Sequence, residues 1–171
     1  GDGEPYMYHA VRIAAHLSAL GLKEDILLAA ALLHDVPEDG PEGTVEMLRT
    51  RFMITPEVLK VAELLNKNGL STGAYYERLR SNPFALLIKI SDRCHNISTM
   101  GGAFTEKKMH DYIKETRDYV IPLCKYGKDY YPEYSDQIYA MKYHIESICA
   151  TIESVLDTKE KRDAESPLGG V

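Results

Sequence analysis

One stretch limits this chain more than any other: A-A-A-L-L-H-D-V-P-E-D-G at residues 29–40. An apolar run over residues 26–33 leads straight into His34 and Asp35, and Glu38 and Asp39 follow within a turn. Burying several titratable groups at the end of an apolar helix is costly unless something compensates them. A metal ion compensates, because it takes neutral imidazole and ionised carboxylate together. The bland alternative is a helix end with a solvated acidic turn. It explains the His-Asp pair alone, but not two features in register with it: His9, beside the apolar stripe of the preceding helix, and Asp92, in a distant K-I-S-D-R-C-H-N segment.

The chain around this stretch reads as helix throughout. Apolar positions keep a helical period over residues 6–20, Gly21 stops that helix, and a nearly all-apolar second helix over 24–35 is expected to be the central buried one. Shorter helices follow over 44–52, 55–66 and 75–80, the second opened by Thr55-Pro56. Asn82-Pro83 opens a sixth, which carries Asp92, Arg93 and Asn96. A long amphipathic helix over 106–125, kinked at Pro122 and stopped near Gly127, precedes a last one over 132–156. No strand alternation and no internal repeat is visible. The class expected is all-α, a compact bundle of about eight helices. At 171 residues the length suits one domain, expected over 1–157, with 158–171 a polar, disordered tail.

Composition narrows the function. A net charge of −6 argues against a broad nucleic-acid-binding face, yet leaves room for a phosphorylated small molecule held by a metal and a few cations. No apolar run is long enough to cross a membrane, and the N-terminus lacks a signal-peptide layout. Cys94, Cys124 and Cys149 are odd in number and lack C-x-x-C spacing, which disfavours a disulfide framework and a thiolate zinc site. Three reduced thiols in a cytoplasmic protein is the reading they favour.

His9, His34, Asp35 and Asp92 offer ligands from three helices. Two imidazoles and two carboxylates suit Mn²⁺, Fe²⁺, Co²⁺ or Zn²⁺, and hard oxygens without thiolate favour the octahedral ions. Neighbours such as His34 and Asp35 diverge by about 100° on a regular helix, so they share an ion only over a helix end, where Pro37 breaks the chain. Glu38, four residues beyond His34, stays on the ion's face without ligating it.

The blocks G-E-P-Y-M-Y-H, A-L-L-H-D-V-P-E-D and L-I-K-I-S-D-R-C-H-N-I-S-T, with K-E-T-R-D-Y-V-I-P-L-C-K-Y-G after them, resemble the HD phosphohydrolase superfamily. Within it the chain is most similar to the hydrolase domain of RelA/SpoT alarmone enzymes and their small stand-alone relatives, over residues 3–127. The resemblance implies that His9, His34, Asp35 and Asp92 hold Mn²⁺, that Glu38 and Asp39 assist hydrolysis, and that Asn96 and Thr99 lie against a nucleotide. The reaction it implies is removal of the 3′-pyrophosphate of guanosine tetra- or pentaphosphate by a metal-activated water. Three departures stand out. The family's Arg-Lys pair before the first block is absent ahead of Gly1-Asp2, Ser98 stands at a basic position, and Gly40 stands where Thr is common. They imply weak discrimination between guanine and adenine. No length remains for a synthetase domain, so the resemblance implies a degrading activity alone.

The other candidates carry bland readings too. Lys67 and Lys89 are each placed to meet phosphate, against the commoner role of a lysine whose stem lies on the surface. Lys67 is taken as a substrate contact. Arg93 reads as the structural partner of a carboxylate of the site. His95 is either a support of the site or nothing, and His16, His110 and His144 have no ligand spacing. Tyrosines at 112, 119, 126, 130, 131, 134, 139 and 143 suit core or a homo-oligomer interface through the C-terminal helices, with Tyr119 the one set to reach the nucleotide. Two alternatives stay open: hydrolysis of another nucleotide phosphate, and a non-catalytic nucleotide-sensing module.

Overall fold

The computed structural model describes residues 6–165 other than 40, 42, 43 and 68, with all their side chains except those of 6, 38, 39, 163 and 165. Among the described residues every regular element is helical: α1 (Tyr6–Ala19), α2 (Asp25–Leu33), α3 (Val36–Asp39), α4 (Thr44–Thr50), α5 (Pro56–Leu65), α6 (Thr72–Leu79), α7 (Pro83–Thr99), α8 (Glu106–Glu115), α9 (Ile121–Tyr130) and α10 (Ser135–Glu165). With α3 counted as a single turn and α8–α9 as one interrupted helix, this is the expected bundle.

The helix starts are written in the side chains. Thr55, Ser71, Asn82 and Thr105 each accept a backbone N–H of the first turn, and Pro56 and Pro83 occupy positions where a missing N–H does no harm. Asn82 Oδ1 takes two such bonds, from Phe84 and Ala85, at 2.9 and 3.1 Å.

The central buried helix is α7, not α2 as expected. From Ala85 to Cys94 every residue of α7 except Lys89 is buried. It packs against α1, α2, α5, α9 and α10. In α2, Leu27, Ala30 and Ala31 are fully buried and the two alanines let neighbouring helices approach closely, but Leu32 faces outward at 46% exposure. An apolar run reports hydrophobicity all round a helix; it does not say how many neighbours surround it.

The C-terminal half differs from expectation in three ways. Pro122 does not kink a last turn. It has no N–H for the carbonyl four residues back, and the turn before it widens into a π segment, Thr116–Val120, closed by the Ile121 N–H on Thr116 O. The helix then continues through Gly127 to Tyr130. Gly127 is a packing residue and not a stop, since a Cβ there would lie 2.8 Å from Ile138 Cδ1. Lastly, α10 runs past Leu156 to Glu165, so residues 158–165 of the expected tail are helical. Leu156 is buried, and Lys159 with Glu106 and Glu160 with His110 pair that end to α8. No helix among the described residues is long and apolar enough to cross a membrane.

Candidate metal centre

His34 and Asp35 occupy the turn between α2 and α3, just beyond the end of the apolar run. His34 is buried, and its Nδ1–H donates to the Ala31 carbonyl at 2.8 Å. That bond leaves the lone pair on Nε2, which has no hydrogen-bond partner and lies 2.9 Å from Asp35 Oδ1. Two electron pairs facing each other at that distance need a proton or a cation between them.

His9, on α1, adds a second imidazole. Its Nε2 is 3.1 Å from Asp92 Oδ1 and 3.8 Å from Asp35 Oδ2, while its Nδ1 meets His95 Nδ1 at 3.0 Å. Burial first, and the neighbouring His9 second, lower the pKa of His95 and keep it neutral. A neutral His95 holds His9 through Nδ1 and leaves His9 Nε2 facing the carboxylates. His95 is therefore the support of His9, and the spacing of D-R-C-H-N held the signal for it.

One ligand atom from each of His9, His34 and Asp35 lies within 4.8 Å of the others, and Asp92 joins them through its contact with His9. Bonds of about 2.1 Å to an octahedral ion separate adjacent donors by about 3.0 Å and opposite donors by about 4.2 Å. Of the observed separations, 3.1 and 3.8 Å fall in that span and 2.9 Å lies just below it. The electrostatics agree. Burial lowers the pKa of His34, but the close Asp35 carboxylate and the charge of Asp92 outweigh burial and raise it. The cluster holds an excess of negative charge, and a divalent ion is the partner that fits it.

Asp92 is fixed on three sides. Lys89 Nζ reaches Oδ2 at 2.8 Å and Asn96 Nδ2 donates to Oδ1 at 2.7 Å, the oxygen that His9 also approaches. Burial works to raise its pKa, yet Lys89, His9 and His34 together hold it well below the usual carboxylate range. Lys89 is thus a half-buried member of the site, which corrects its reading as a surface lysine. Its position three residues before Asp92 on one helix was the available signal.

Beside the cluster lies a cavity of about 140 Å³ whose walls include His34, Asp35, Lys67, Tyr76, Lys89 and Glu115. Lys67, expected against the substrate, lines it and donates to Thr72 Oγ1 at 3.3 Å. Arg93 does hold a carboxylate. It is Glu115, at 2.5 Å, and the same guanidinium reaches Tyr76 OH, Thr116 Oγ1 and the Tyr112 ring. Glu115 and Tyr76 gave no sign of their place in the sequence, because α8 and α6 meet α7 only in three dimensions. Tyr119 does not line the cavity but stacks on Tyr76, with centroids 5.2 Å apart. Thr99 is exposed, with its hydroxyl bonded to carbonyls of its own helix. Glu38 and Asp39 lie on α3, and their side chains fall outside the described residues.

Residues 1–124 match the model of a family described as HD domain. The guanosine-3′,5′-bis(diphosphate) 3′-pyrophosphohydrolase of Aquifex aeolicus is 32% identical over 131 residues, 71% of this chain and 18% of that protein. Its counterpart in Haemophilus influenzae is 35% identical over 133 residues, 72% and 19% of the two. The bifunctional (p)ppGpp synthase/hydrolase SpoT of Escherichia coli is 32% identical over 132 residues, 72% and 18%. The chain spans about a fifth of the length of the curated relatives it matches. A solved structure of a metazoan ortholog of SpoT, which hydrolyses ppGpp, shares the fold with a TM-score of 0.64 at 20% identity, covering 86% of this chain and 81% of that one.

Proposed function

Because this chain belongs to the HD domain family, we propose that it is a metal-dependent hydrolase that removes the 3′-pyrophosphate of guanosine tetra- or pentaphosphate. One observation carries the reading: the unpartnered His34 Nε2, the Asp35 and Asp92 carboxylates and the His9 imidazole lie together beside a small cavity lined by two lysines. The names of the relatives support the substrate.

The four residues would hold the ion, Mn²⁺ on this reading. When bound, it supplies a more acidic water and neutralises phosphate charge. The remaining work falls to the chain. Asn96 and Lys89 hold Asp92 in place, and the Ala31 carbonyl and His95 aim the imidazoles. Lys67 and Lys89 face the phosphate chain, while Asn96, Thr99 and Tyr119 line the approach of the nucleotide. Glu38 takes the proton of the attacking water, and Asp39 orients that water. The water oxygen bonds to the phosphorus attached to the 3′ oxygen, the bond between that phosphorus and the 3′ oxygen breaks, the proton taken from the water passes to the 3′ oxygen, and pyrophosphate leaves. Ser98, in place of a base-side cation, favours loose selection of the purine.

On the same reading the protein works in the cytoplasm, where buried thiols such as Cys94 and Cys124 stay reduced. The exposed Tyr130, Tyr139 and Tyr143 form the candidate contact for a second copy. The test is pyrophosphate release from guanosine tetraphosphate by the Mn²⁺-loaded protein. Release of phosphate alone, or from other nucleotides only, points to a different substrate. Binding without turnover points to a sensor.

A further inference from the structure

The end of α5 is capped by side chains of α6. Arg78 Nη2 donates to the carbonyls of Leu64 and Asn66, and Tyr75 OH donates to that of Leu65 at 3.0 Å. These bonds fix the backbone of residues 64–66, the segment that leads into Lys67. Asn66 is buried at 8% exposure, and its backbone N–H bonds Glu63 O. Its side chain points the other way: Asn66 Nδ2 donates to Pro37 O, in the middle of α3, at 3.0 Å.

That bond is well placed to matter. Behind α3 is an open cleft of about 490 Å³, walled by Pro37, Val45, Lys60, Glu63, Asn66 and Arg78. Among the described residues, α3 meets α4 and α5, and the cleft leaves its remaining side without packed neighbours. A four-residue helix has too few internal bonds to keep its own position. A donor fixed at the end of a capped helix supplies the tie, and the carbonyl it holds belongs to the residue immediately before Glu38 and Asp39.

We propose that Asn66 is a positioning residue that holds α3, and with it the Glu38-Asp39 pair, against the metal centre. The inference rests on the reading of Glu38 and Asp39 as the acid pair of a hydrolase. Asn66 touches neither substrate nor ion; it acts through Pro37. A misplacement of about 1 Å at a reacting group is worth up to about a hundredfold in rate, so the effect belongs in kcat.

The experiment compares Asn66→Ala and the near-isosteric Asn66→Leu, which loses the amide without adding a charge, with Asn66→Gln, which keeps an amide. Backbone hydrogen exchange is followed in peptides covering α3 and, as a control, α7, alongside bound metal per chain and the kinetics. Expected for the first two variants are exchange at least about threefold faster in α3 and unchanged in α7, full metal content, and kcat about ten- to a hundredfold lower with KM within about threefold. Asn66→Gln should recover part of both losses. In a Glu38→Gln background Asn66→Ala should cost no further turnover. If the wild type proves inactive on guanosine tetraphosphate, the functional reading fails, and the exchange measurement still decides whether Asn66 holds α3. Unchanged exchange in α3 overturns the proposal, as does a loss of activity that follows loss of metal or of overall stability.

Discussion

Replacing Lys89 by methionine keeps the aliphatic stem and removes the charge beside Asp92. The pair is close, 2.8 Å, with side chains 18% and 8% exposed. Breaking such a pair leaves a buried charge uncompensated, at about 3–5 kcal/mol. Asp92 retains the Asn96 amide at 2.7 Å, which favours the lower end of that range. In the metal-free protein, about 3 kcal/mol corresponds to a fall in Tm of roughly 6–12 °C for a chain of this size. With the ion in place, its charge stands against Asp92 directly and the lysine matters less, about 1 kcal/mol. The difference, about 2 kcal/mol, must appear as metal affinity, which makes Lys89→Met bind Mn²⁺ about thirtyfold more tightly than wild type. Thermal unfolding with chelator and with Mn²⁺ gives the two stabilities, and titration calorimetry gives the affinity. Weaker metal binding in Lys89→Met, or an equal fall in Tm with and without the ion, would refute the idea that lysine and metal compete for one carboxylate.

Four further outcomes follow from the site and the packing. Glu38→Gln or Asp39→Asn should lower turnover by roughly 10²–10⁴ with metal content kept, while Asp92→Asn should lose the metal; metal analysis beside steady-state kinetics separates them. His34 has its pKa raised in the metal-free fold, so its contribution to stability is complete below the unfolded value of about 6.5 and is lost as pH rises through the folded one. Metal-free Tm should therefore fall as pH rises above about 6.5, the Mn²⁺-loaded Tm should not, and protons should begin to compete with the metal above the free imidazole value. Gly127→Ala puts a Cβ 2.8 Å from Ile138 Cδ1 and should destabilise by about 1–3 kcal/mol in urea unfolding. Ser98, bonded to the Cys94 carbonyl and to His144, offers no cation to a purine, so kcat/KM for guanosine and adenosine 3′-pyrophosphates should differ by about thirtyfold or less, the worth of one cation–π contact.

The candidate cluster was legible because the sequence pattern around each of its residues is local. His34 and Asp35 end an apolar run at a proline, and His9 and Asp92 sit on helices whose period is plain. The helix starts were legible for the same reason: Thr55, Asn82 and the prolines after them act within one turn. What stayed hidden depends on distant partners. A lysine inside an apolar run reads as a stem lying along the surface until Asp92 is seen to take its charge. Gly127 reads as a stop until Ile138 is seen against it. Residues 158–165 read as a polar tail until Glu106 and His110 supply their partners. Asn66, in the polar stretch N-K-N-G, reads as a turn residue, and nothing near it in sequence names Pro37.

In a continuing helix the Ala31 carbonyl would receive the N–H of residue 35. Here it receives the imidazole of His34 instead, so the place where α2 stops and the direction in which the ligand points are set by one bond. The aim of that ligand is therefore stored in the backbone and does not depend on the ion. A molecule stripped of metal keeps its grip open, and reloading needs the departure of a proton and of the ion's own water, not a rearrangement of the chain. By the same token Pro37→Ala, which restores an N–H through which α2 could wind on past Asp35, would damage the site without touching a single ligand.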